Sequence, residues 1–101
     1  MNPLYRVRDW SANFETGETR KLKHLTWVPL PNKHDGKGYR RLMASGPLNY
    51  AAWVLILQVA SKCHQRGLLE DQDGPLTVQD LAIKTDFPAE RFRRRFSTSS
   101  K

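Results

Sequence analysis

The amino-acid sequence predicts a small α+β fold, mainly helical, in which two short helices joined by a tight turn present a cationic surface. Three observations predict it. The string TVQDLAIKTDFPAERFRRRF, at positions 77–96, carries start and stop signals for two successive short helices. Residues 49–65 form a helical segment that is apolar almost all round and can seat such a pair. Short β-prone stretches near the amino terminus supply the β component.

Length and charge bound the reading. A chain of 101 residues holds one small domain with a modest core. Hydrophobic residues make up 39% and charged residues 27%, and the net charge is +7, so an anionic partner is the first suggestion. Lysine and arginine number nine against four acids over residues 1–47, and eight against six over residues 48–101. The excess is thus concentrated in the amino-terminal half and the last helix, while Glu70, Asp71 and Asp73 make the middle acidic. One cysteine, Cys63, excludes an internal disulfide and suits a reducing cytoplasm. The apolar run at 50–57 is too short to span a bilayer, and MNPLYRVRDW lacks the apolar core of a signal peptide. The expected setting is the cytoplasm, without a membrane partner.

The elements follow in order. Residues 4–10 alternate apolar and polar side chains in the manner of a short strand. Residues 11–24 are polar, contain Thr16-Gly17 and read as a loop ending in the basic run RKLKH. Residues 25–28 are β-prone, and Pro29-Leu30-Pro31 then imposes an extended path. NKHDGKG, at 32–38, reads as a turn, and residues 39–43 as one helical turn. The main helix is expected over 49–65, closed by Gly67 as a left-handed cap, with Lys62, His64 and Arg66 in its last turn. Residues 68–77 pass an acidic turn and suit a short strand. The expected organisation is one domain: extended strands and a basic loop over 1–47, a helical core over 48–96, and a disordered tail over 97–101.

The pair at 77–96 is a helix-turn-helix by spacing. Thr77 is an N-cap, with Asp80 standing for the Glu of a capping box. Leu81 and Ala82 give the first helix its apolar stripe. Asp86 fills a turn position where glycine is common, and aspartate tolerates the left-handed backbone. Pro88 suits the first turn of the second helix, on which Phe92 and Phe96 share a face. Arg91, Arg94 and Arg95 lie opposite, with Arg93 at the flank. Lys33, Lys37, Arg40 and Arg41 form a second basic patch. The functional reading of both is DNA contact, with arginine reaching phosphates or guanine edges and the lysine patch touching only backbone. The plainer reading is a solvated charged face.

The strings YRVRDWSANFE, WVPLPNKHDGKGY and NYAAWVLILQVASKCHQRG, followed by the helix-turn-helix, resemble the amino-terminal domain of phage and prophage replication-associated proteins, the winged-helix modules of replisome organisers and DnaD-like primosomal proteins. The resemblance implies a winged-helix-like domain that binds DNA or assembles a primosome, and no enzyme. It also implies a short strand between the main helix and the helix-turn-helix, for which residues 68–77 are the candidate. A wing would follow the basic helix, and the chain ends at residue 101, so the wing is expected to be truncated. The amino-terminal strand can substitute for it by pairing near Leu68.

Other chemistry finds little support. His24, His34, Cys63 and His64 lack metal-ligand spacing. His34-Asp35 sits in a lysine-rich turn, and Gly36-Lys37-Gly38 lacks the spacing of a phosphate loop. No enzyme, cofactor, metal or small-molecule substrate is expected. Trp53 and Trp27 read as packing residues, and Trp10 as core with the best claim to a surface role. The function expected is therefore DNA binding, duplex favoured, by Arg91, Arg93, Arg94, Arg95, Lys33, Lys37, Arg40 and Arg41. The rival is a protein-interaction module that docks replication proteins or a second copy of itself.

Overall fold

The helix α4 (Pro47–Lys62) is the axis of the molecule. The computed structural model describes residues 3–30 and 36–93. Proline at the first position of α4 has no N–H to leave unsatisfied, and Ala52, Ile56, Leu57, Val59 and Ala60 are buried along the helix. The helix is shorter than its apolar pattern suggests. It ends at Lys62, so His64 and Arg66 lie beyond its last turn, and Gly67 is not its cap. The φ of +92° at Gly67 answers a packing demand instead: a Cβ there would lie 2.6 Å from Trp10 Cβ.

Around this axis the amino-terminal residues form short helices where the sequence suggested a loop. Asp9, at φ 52°, turns the chain into α1 (Trp10–Phe14), and Trp10 and Phe14, four residues apart, both enter the core. Then α2 (Gly17–Arg20) starts from a capping box in which Thr16 and Thr19 exchange hydrogen bonds. The pattern of residues 4–10 survives only as one antiparallel bridge, Arg6 to Leu68. The Val7 N–H donates to Gly67 O at 2.7 Å, and the Leu69 N–H donates to Tyr5 O at 2.9 Å. The amino terminus therefore pairs at the segment around Leu68. Residues 25–28 form no strand: Pro29 has no N–H for a ladder, and only Leu25 and Val28 are partly covered.

The helix α3 (Lys37–Ala44) is twice the single turn expected, so Lys37 and Gly38 are helical rather than part of a loop. Tyr39 meets Tyr50 edge-on at 5.5 Å, and rings continue through Trp53 and Phe14 to Trp10. These rings fix α3 and α1 to the same face of α4.

Between α4 and the last helices the sequence suggested one strand, and the structure has two. The strands β1 (Glu70–Asp71) and β2 (Gly74–Pro75) pair antiparallel across Gln72-Asp73. The Asp71 carboxylate accepts from the Asp73 N–H at 2.9 Å, and Gly74 takes φ +115° to return the chain. Leu76 and Leu69 close the base and are buried. About half the chain is helical, and a two-stranded sheet completes a small α+β domain.

Candidate nucleic-acid interface

The turn after α5 (Val78–Thr85) decides how the last basic residues are presented. Thr77 caps α5 by accepting from the Asp80 N–H at 3.1 Å, and the Asp80 carboxylate accepts from the Thr77 N–H at 2.9 Å. Asp86 takes φ 57°, ψ 40°, and its N–H donates to Ala82 O at 2.8 Å. The left-handed turn is therefore made by aspartate. Residues 89–93 are helical. Phe92 is fully buried beside Leu81 in the core and meets Phe87 edge-on at 5.5 Å.

With Phe92 inward, Arg91 and Arg93 lie about 100° to either side of it. Arg93 is exposed, whereas Arg91 is half-buried. Arg94, Arg95 and Phe96 lie outside the described residues, as does the tail at 97–101.

The second patch is better defined on α3. Lys37, Arg40 and Arg41 fall within about 100° of arc on that helix, and Tyr39 and Leu42 occupy the opposite side. All three cations are exposed, and Tyr39 and Leu42 are partly covered. Among the described residues none of the three enters an ion pair. Lys33 lies outside the described residues.

Charge is distributed unevenly over these elements. The hairpin tip carries Asp71 and Asp73, both exposed, and would repel a polyanion. The cationic faces of α3 and of residues 91–93 would attract one. Among the described residues no group of three or more His, Cys, Asp or Glu is placed to hold a metal ion. Among them also, no helix is long and apolar enough to cross a membrane. The Cys63 thiol is half-buried, and burial raises its pKa, so it is a poor nucleophile.

Comparison with family models, curated proteins and solved structures finds no match. The assignment of function therefore rests on this chain's own residues.

Two features escaped the sequence. Trp27, expected to be a packing anchor, is 74% exposed. Its neighbours Thr26 and Val28 are β-branched, which hid the outward turn. Arg66, expected at the end of a helix, instead reaches Glu15 and two backbone carbonyls. Sequence spacing carries no signal for a pair separated by 51 positions.

Proposed function

We propose that the protein is a DNA-binding module contacting duplex DNA through the basic segment at 88–96, with the face of α3 on the phosphate backbone. The observation that carries the reading is the helix pair: α5, a left-handed turn at Asp86, and a following helix held by Phe92 that offers Arg93 to solvent. Arg91, and the neighbouring Arg94 and Arg95 of the same segment, are the further residues proposed to make the contact. Lys33, Lys37, Arg40 and Arg41 position the domain without reading sequence. The replication setting, in the cytoplasm of a bacterial host, is supported by the resemblance to phage replisome organisers. A winged-helix relationship is supported by the order helix, hairpin, helix, turn, helix.

A docking surface for a replication protein or a second copy is the second reading. It is favoured by Ile83, which stands 81% exposed on α5 of the same pair. Fluorescence anisotropy on a random labelled duplex decides between them. DNA binding predicts that affinity falls by roughly 0.9 log unit per log unit of salt for each phosphate contact. It also predicts loss of binding in the triple variant Arg91→Ala, Arg94→Ala, Arg95→Ala. Binding that is absent, or unchanged in the triple variant, removes the basic segment from the DNA-binding role.

A further inference from the structure

The chain has three tryptophans, and two are accounted for. Trp10 is buried and donates its indole N–H to Glu15, and Trp53 is half-buried between Phe14 and Tyr50. Trp27 is the exception, because its large apolar surface stands in water on a backbone that is anchored at both ends. Upstream, the Arg66 guanidinium donates to Thr19 O at 2.8 Å and Leu22 O at 2.9 Å. Downstream, Val28 packs against the core.

The sequence leading up to Trp27 is cationic. No acid occurs between Glu18 and Asp35, a stretch that holds Arg20, Lys21, Lys23 and His24. Arg20 is engaged, donating to Ser11 O and Ser11 Oγ. Lys21 and Lys23 are exposed and enter no ion pair among the described residues. An exposed aromatic face with exposed lysines four and six positions before it in the chain offers what a single strand requires, one surface for a base and charge for the flanking phosphates. A duplex cannot use that face, since its bases are stacked on one another and offer only their edges.

We propose that Trp27, with Lys21 and Lys23, forms a subsite for an unpaired base of single-stranded DNA and its neighbouring phosphates. The proposal rests on the DNA-binding reading above and adds to it a second, strand-specific contact remote in sequence from the basic segment.

The test compares the full chain with Trp27→Ala and Trp27→Phe on a thymidine oligonucleotide and on a labelled duplex. Circular dichroism establishes that both variants fold. Titration with the oligonucleotide should quench the long-wavelength tryptophan emission, to which Trp27 is the main contributor because Trp10 is buried and Trp53 half-buried, and the quenching should be lost in Trp27→Phe. Trp27→Ala should weaken single-strand binding by about 10-fold and leave duplex affinity unchanged, and Trp27→Phe, which keeps a stacking face, should retain most of it. Replacing Lys21 and Lys23 by alanine should lower the single-strand salt slope by about 0.7 for each phosphate left without its cation. Single-strand binding indifferent to Trp27→Ala, or equal losses on both nucleic acids, overturns the subsite. Duplex binding without single-strand binding also overturns it and leaves the basic segment standing. Failure to bind either nucleic acid overturns both readings.

Discussion

Glu15 accepts four hydrogen bonds: from the Trp10 indole at 2.7 Å, from Thr19 Oγ1 at 2.8 Å, and from Arg66 at 2.6 and 3.0 Å. The Arg66 bonds do most to hold its carboxyl at about 2, against the desolvation that burial imposes. A depressed carboxyl pKa stabilises the fold fully above the ordinary value near 4.5, and the contribution disappears as pH falls from there towards 2. Wild type should therefore lose denaturant resistance over that window relative to Glu15→Gln; parallel curves for the two would refute the assignment. Near neutral pH, Glu15→Ala leaves Arg66 unpaired and should cost about 3 kcal/mol. At Gly67, alanine meets both a left-handed backbone and the Trp10 ring, so Gly67→Ala should lower the thermal midpoint far more than Gly17→Ala, whose position is open.

At the scale of elements, α5 and α3 divide the work. Thr77→Ala removes one side of the capping box and should cost about 1 kcal/mol of stability without touching a cationic residue. Lys37→Ala, Arg40→Ala and Arg41→Ala together should do the reverse, leaving the thermal midpoint in place while lowering the duplex salt slope by up to about 0.9 for each phosphate no longer neutralised. A midpoint drop in the second variant would show that the face of α3 is structural. The two helices also differ in how readable they were. Thr77, Asp80, Asp86 and Pro88 each act within four residues, so local rules located α5 and its turn. The helix α3 was underestimated because its partner, Tyr50, lies eleven positions from Tyr39, and Gly38 argues locally against a helix. Trp10, Phe14 and Gly67 were harder still, since only the close approach of the first and last explains why a helix forms at residue 10 and a glycine stands at 67. The basic residues were legible as a composition, but the faces they share depend on which aromatic rings turn inward.

Over the whole molecule, residues 5–14 belong to the same core as the last helices. Trp10 and Phe14 join Leu57, Leu69, Leu81 and Phe92 in one cluster, so residues 48–101 alone lack part of their interior. That fragment should show no cooperative thermal transition, and should regain one when residues 1–47 are restored. A sharp transition in the fragment would instead divide the chain into separate units. The clasp between Glu15 and Arg66 also sets a timetable. On the ribosome, the aromatic residues of α1 emerge early and have no glycine shelf to rest on until residue 67 has been made. Trp10 and Phe14 must wait in water, with Glu15 unpaired, for a counterpart synthesised 51 positions after Glu15. Closure of that clasp is thus a late event in the life of each nascent chain, and a pause in translation before residue 67 would prolong the interval in which Trp10 is open to a chaperone.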